Sequence, residues 1–257
     1  MKVTVCELPH QSEPLAACWA ALCRHTKQQG AELVLLPEFA FVEPFWEAEQ
    51  YEAARWAAAE AACGRWLQRL AELHAAHVVG TRPVTAAGNR FNEGFAWSRE
   101  GGLVPLRRKY FLPDEPGGRE SRWFARGDSG FPGYTAGALS FGLNICTELW
   151  ALETYGAYAA LNLNAILSPR ATAAATTHKW LAAGTAAAVR SGAFCLSSNR
   201  VHRDGSCGGV GWIIGPDGEV LAKTSGETPF VTLDIQPAVA AAAKKTYPRY
   251  VFAPPEQ

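Results

Sequence analysis

Short runs of consecutive apolar residues alternate along the chain with longer segments whose apolar positions recur every three or four residues, a pattern that predicts strands interleaved with helices. Residues 2–8 read as an opening strand. The next segment carries Pro14 near its start, apolar Leu15, Cys18, Trp19 and Leu22 at helical spacing, and Gly30 as a stop. Residues 32–37 form a short apolar run of the kind found in buried strands, ended by Pro37, which places Glu38 at the strand's C-terminal end. An alanine-rich stretch over 46–74 predicts a helix broken near Gly64, and residues 77–81 return as a strand.

From Asn89 onward the texture changes to short alternating segments. Residues 91–97 and 103–110, joined at Gly101 and Gly102, predict an antiparallel hairpin, followed by a Pro/Gly-rich loop over 112–133 that is too long to be mere connection. Further strands are expected over 139–146, 165–168 and 194–199, with helices over 150–161 and 177–190 between them. A second hairpin, 210–214 with 219–222, flanks the turn Gly215-Pro216-Asp217-Gly218, and residues 230–235 supply a last strand. The βαβ rhythm interrupted by hairpins implies an α/β fold of mixed sheets covered by helices, in one domain over residues 1–245. Residues 246–257, with Pro248, Pro254 and Pro255, are expected outside the core, as an arm on the surface or on a partner subunit.

Composition narrows the class of partner. Lys plus Arg and Asp plus Glu are 24 each, so the formal charge is zero and no global field draws the 257-residue chain to nucleic acid or an anionic membrane. A small-molecule partner is expected. The N-terminus lacks the apolar stretch of a signal peptide and no long apolar run follows, which leads to an expectation of a cytoplasmic protein. Seven cysteines without a CxxC pair read as reduced thiols, and the six histidines have no metal-ligand spacing, so neither a metal nor another cofactor is expected.

Three polar residues sit where apolar strands end: Glu38, Lys109 and Cys146. On position alone the ordinary reading is two solvated charges and a core thiol. The surrounding residues change that. Leu35-Leu36-Pro37-Glu38-Phe39, Arg108-Lys109-Tyr110-Phe111-Leu112-Pro113 and Asn144-Ile145-Cys146-Thr147-Glu148-Leu149 resemble, in order, the general-base, lysine and nucleophile motifs of the nitrilase superfamily of carbon-nitrogen hydrolases. Glu120-Ser121-Arg122-Trp123-Phe124 is similar to the run carrying that family's second active-site glutamate, and Glu153 matches the glutamate that often follows the nucleophile. The likeness extends through residues 179–200 and 208–223.

The resemblance implies a single-domain, four-layer α-β-β-α sandwich that forms a homodimer or higher homo-oligomer through helical faces. It implies Cys146 as nucleophile, Glu38 as base, and Lys109 with Glu120 as the remaining catalytic pair. The oxyanion would rest on Lys109 and the backbone N–H of Thr147. A thiol needs a neighbouring ammonium or base to become nucleophilic at neutral pH, so Cys146 is expected to be the one reactive thiol among seven. The reaction implied is hydrolysis of a small amide or N-carbamoyl compound through a thioester, with nitrile hydrolysis or an idle scaffold as alternatives. Trp123 and Trp150 flank the expected site as candidate substrate contacts, and Arg170 is a candidate carboxylate anchor or a surface arginine. Many family members carry Arg where Trp150 stands, which suggests a less anionic substrate here.

Overall fold

The computed structural model describes residues 1–9 and 12–252. Its strands are β1 (Lys2–Pro9), β2 (Leu33–Leu35), β3 (His77–Ala86), β4 (Asn89–Ser98), β5 (Gly102–Arg108), β6 (Gly133–Ala136), β7 (Leu139–Leu143), β8 (Ala165–Arg170), β9 (Phe194–Val201), β10 (Trp212–Ile214), β11 (Val220–Lys223) and β12 (Phe230–Asp234). The helices are α1 (Ser12–Gln29), α2 (Ala53–Leu67), α3 (Glu120–Trp123), α4 (Glu153–Ala160), α5 (Thr177–Ser191) and α6 (Pro237–Ala243). The strands follow one hydrogen-bonded path that curls into two halves. In one half β5, β4, β3 and β2 lead to β1, and β12 closes its other side. In the other, β6 to β9 run on to β10 and β11. The seam is β1: Lys2 to Cys6 pair with β12, whereas Glu7 to Pro9 pair in parallel with β9.

Alternation along the strands explains the four layers. Val3, Val5, Leu33, Leu35 and Val79 face Phe141, Leu143, Leu167, Leu196 and Ile213 across the gap between the half-sheets. Their sequence neighbours Cys6, Val34, Leu36 and Val78 point the other way, against Leu15, Trp19 and Leu22 of α1 and Trp56, Ala59 and Cys63 of α2. On the opposite outer face, Ile166, Cys195, Trp212 and Ile214 pack under Tyr155 and Tyr158 of α4 and the small Ala183, Ala187 and Ala188 of α5. A period of two in the strands thus feeds both a sheet-to-sheet core and a sheet-to-helix core, giving the α-β-β-α sandwich of the expectation. Among the described residues no helix is long and apolar enough to cross a membrane.

Several element boundaries differ from the sequence reading. The α2 helix runs through Gly64 and ends at Leu67; a separate 3-10 turn over Leu70–Leu73 follows, stopped by His74 at φ 54°. The β3 strand extends to Ala86 and pairs with β4 along its length, so the strand read over 77–81 is one arm of a long hairpin. The β6 strand and α6 were not expected. Part of the C-terminal segment is built into the domain: Arg249 is buried and donates to the Ala243 carbonyl (2.9 Å) and the Asp217 carboxylate (2.6 Å). Tyr250, Val251 and Phe252 are exposed, and residues 253–257, including Pro254 and Pro255, lie outside the described residues, as does His10.

One close approach sets how α4 sits on its sheet. A Cβ on Gly142 would lie 2.4–2.6 Å from three Tyr158 ring atoms, so the ring rests directly on the β7 backbone. Gly142→Ala should cost about 1–3 kcal/mol in denaturant-monitored stability by overpacking this contact. Gly64→Ala, at an uncrowded interior helical site, should instead gain up to about 1 kcal/mol in the same measurement.

Candidate active site

The strand ends bring the sequence-distant polar residues to one place between the half-sheets. Glu38 follows β2 by three residues; its backbone N–H donates to the Arg170 carbonyl (3.2 Å), and the next N–H, of Phe39 at φ 46°, donates to Thr81 Oγ1 (2.8 Å). Lys109 directly follows β5, its N–H bonded to the Asn92 carbonyl (2.8 Å) and its carbonyl taking the Gly127 N–H (2.9 Å). A Cβ at Gly127 would be 2.2 Å from the Arg108 carbonyl oxygen, so only glycine lets the long loop lie against the lysine strand. Glu120 opens α3 within that loop.

Lys109 is fully buried. Its Nζ donates to Glu38 Oε1 (2.9 Å) and Glu120 Oε1 (2.7 Å), both carboxylates being buried as well. Asn92 Nδ2 donates to the same Glu38 oxygen (2.8 Å), while Glu120 Oε2 and Asn92 Oδ1 have no partner. Burial pulls the Lys109 pKa down, but Glu120 and Glu38 outweigh it and push the ammonium's pKa well above the usual lysine range. Burial raises Glu120 to about 7, a rise that Lys109 limits.

Cys146 begins a 3-10 turn (Cys146–Trp150) just beyond β7, at φ 50°. A left-handed conformation in a non-glycine residue costs about 1–3 kcal/mol and persists only where its surroundings over-determine it. Here Asn144 Nδ2 donates to the Glu148 carbonyl (2.7 Å), and Tyr158 Oη donates to Asn144 Oδ1 (2.8 Å). The thiol interacts electrostatically with Glu38, Lys109 and Glu120. The first N–H groups of such a turn have no acceptor within it, which leaves the Thr147 N–H beside the cysteine as a donor.

The electrostatics of the site hold Cys146 as a thiol at rest, so activation falls to the neighbouring base. Burial first, then Glu38, raises the Cys146 pKa well above the ordinary thiol range, and Lys109 with the Ala171 backbone lowers it too little to compensate. The other cysteines are raised as well, Cys18 and Cys23 to about 11 and Cys63 and Cys195 to about 12, chiefly by burial. Cys146 is therefore distinguished by its neighbours rather than by a low pKa at rest.

Two candidate contacts are corrected. Trp123 is buried in the core against Phe45 (ring centroids 5.1 Å apart), and its Nε1 donates to the Ala48 carbonyl (3.0 Å), so it pins α3 and with it Glu120 instead of facing a substrate. Arg170 is not at the surface. Its guanidinium is fully buried and donates to Ser197 Oγ (2.7 Å), Thr172 Oγ1 (2.7 Å) and the Val210 carbonyl (2.6 Å), with Trp212 over its face, so it holds β8 to β9 and to the Val210 backbone. Trp150 does line a cavity of about 190 Å³ with Phe111, Thr147, Ala151 and Glu153, its ring against Trp180 (5.4 Å). No cationic side chain lines this cavity.

Sequence reasoning passed over Asn92 and Glu148. Asn92 lies within β4 beside Asn89, Arg90 and Glu93, where nothing in the sequence marks it as the polar residue that reaches Glu38. Among the described residues no group of three His, Cys, Asp or Glu side chains is placed to hold a metal ion.

Comparison with known proteins gives the context for this geometry. A carbon-nitrogen hydrolase from Helicobacter pylori superposes with a TM-score of 0.85 at 19% identity, over 98% of this chain and 94% of its own. An amidase from Nesterenkonia sp. AN1 gives 0.76 at 19% identity, over 98% of each chain. A CN-hydrolase superfamily protein from Xanthomonas campestris with an arsenic adduct in its active site gives 0.78 at 16%, over 100% and 98%. Likeness at such identities establishes the fold. No curated protein sequence matches the chain. The family model for carbon-nitrogen hydrolases, however, matches residues 2–245, and the chain is accordingly an enzyme of the carbon-nitrogen hydrolase family.

Proposed function

We propose that this enzyme hydrolyses a small, non-anionic carboxamide through a thioester on Cys146. The observation that carries the reading is the buried Glu38–Lys109–Glu120 contact set in electrostatic reach of the Cys146 thiol. Glu38 Oε1 already accepts from Lys109 and Asn92, so Oε2 is the oxygen that takes the thiol proton as sulfur attacks the carbonyl carbon. The oxyanion rests on Lys109 Nζ and the Thr147 N–H, each donor contributing about 3–4 kcal/mol. Glu38 then protonates the departing nitrogen, ammonia leaves, and a thioester remains. Water deprotonated by Glu38 cleaves the thioester and restores the thiol. Glu120 keeps Lys109 charged through Oε1, and its unpartnered Oε2 accepts a substrate amide N–H.

The cavity walled by Trp150 and Phe111 receives the acyl group, and its size and lack of a cation favour short neutral or aromatic chains over dicarboxylate monoamides. N-carbamoyl compounds fit the same chemistry. A nitrile would pass through a thioimidate on the same residues. Support from relatives is of one kind: a variant of the Nesterenkonia amidase carries acrylamide added at its active-site cysteine. The enzyme is further proposed to work as a homodimer, since the exposed Phe252 lines a surface groove together with Ala159 and Ala160 of α4 and Ala241 of α6.

Ammonia release across amides, N-carbamoyl amino acids and nitriles should fall at least about 10³-fold in Cys146→Ala, with amides turned over fastest by wild type. Turnover unaffected by Cys146→Ala would remove the reading. Trp150→Arg should shift kcat/KM about tenfold or more toward dicarboxylate monoamides over neutral amides, measured side by side.

The charge balance gives opposite signs for two readouts of one variant. Glu38 disfavours the thiolate at rest yet serves as the base in turnover. Glu38→Gln should therefore speed acrylamide labelling of Cys146 at pH 8, followed by peptide mass spectrometry, while abolishing ammonia release. In wild type the labelling rate should go on rising through pH 9 without a plateau. Slower labelling in Glu38→Gln would contradict this assignment of charge.

A further inference from the structure

We propose that Glu148 is the positioning residue that sets the distance between Lys109 and Cys146. In the sequence it is an acidic residue two places after the nucleophile, without an assigned task. In the fold its side chain is completely buried. Oε2 accepts the Ile145 N–H (2.9 Å), and Oε1 accepts the Tyr110 N–H (2.8 Å). Ile145 immediately precedes Cys146, and Tyr110 immediately follows Lys109. One carboxylate thus ties the backbone beside the nucleophile to the backbone beside the ammonium.

These two backbones belong to different half-sheets. The lysine follows β5, at the edge of one, and the cysteine follows β7, in the other. Neither strand pairs with the other, so ladder hydrogen bonds do not set their spacing. Arg107, two residues before Lys109, supplies the counter-charge: its NH2 donates to Glu148 Oε1 (2.9 Å) and its NH1 to Oε2, while Phe131 stacks on the guanidinium (3.9 Å). Ionised acceptors make shorter and stronger bonds to N–H groups than neutral ones do, which suits a clamp that must hold Cys146 in its left-handed conformation. Aspartate is one methylene too short to reach both sides, and glutamine offers a single acceptor oxygen.

The inference rests on Cys146 acting with Lys109 as proposed above, so the experiment uses one readout that needs turnover and one that does not. Glu148→Asp and Glu148→Gln are compared with Arg107→Lys, which keeps the carboxylate and both of its backbone bonds. A displacement of about 1 Å can cost about a hundredfold in rate, so both Glu148 variants should lose about that factor in kcat with KM within about threefold of wild type. Acrylamide labelling of Cys146 should slow about tenfold in the same variants. Arg107→Lys should keep kcat within about fivefold.

Four results would overturn the proposal: kcat in Glu148→Asp within threefold of wild type, a loss in Arg107→Lys as large as in the Glu148 variants, a change confined to KM, or failure of both Glu148 variants to fold at 10 °C. The last would make Glu148 a folding residue. If the hydrolase reading itself is wrong, turnover will not depend on Cys146 at all, yet the labelling comparison still decides whether Glu148 positions the cysteine.

Discussion

A lysine ammonium with no water around it is tolerable only where carboxylates replace the water, and the architecture of the site follows from that requirement. Lys109 is completely buried and touches two acids that come from different parts of the chain, one after a central strand and one in a long loop. Removing any partner from such a cluster leaves an uncompensated charge in a low-dielectric interior, at a cost of about 3–5 kcal/mol. The loop carrying Glu120 is therefore fastened in several places: Trp123 under α3, Arg90 donating to the Trp123 carbonyl (2.9 Å), and Gly127 against Lys109. A loop of this length held so firmly is part of the catalytic frame.

The same cluster decides how the sulfur is used. With Lys109 shared between two acids, its field lowers the Cys146 pKa less than burial and Glu38 raise it, which favours the thiol form. In the proposed mechanism, nucleophile formation is then coupled to attack, which would keep the sulfur less exposed to oxidants and stray electrophiles while the site is empty. The groups proposed as oxyanion donors and base are held in place by the fold, so under that proposal little reorganisation accompanies the chemical step.

How much of this was legible in sequence depends on how local each signal is. Glu38, Lys109 and Cys146 could be found because each ends an apolar strand and sits in a recognisable run. Trp123 sits in a recognisable run too, but nothing in it reveals that the indole points inward to support Glu120. Arg170 at the end of a strand reads in sequence as a carboxylate anchor or a surface charge; neither reading reveals its partners Ser197 and Val210, brought to it by β9 and the turn that follows. Glu148 and Asn92 act through hydrogen bonds to backbone or side chains that only tertiary structure brings near. At the level of the fold, strand and helix identity followed from periodicity. The layering did not, because a strand buried on both faces has no polar side to indicate direction.

The seam at β1 also governs how the chain comes together. Residues 2–9 pair with β2 early in the sequence, but also with β9 and β12, which end at residues 201 and 234. During synthesis β1 cannot complete its pairing until the chain has been made as far as β12, at Phe230–Asp234. Such non-local pairing slows folding and lengthens the exposure of unpaired strand edges.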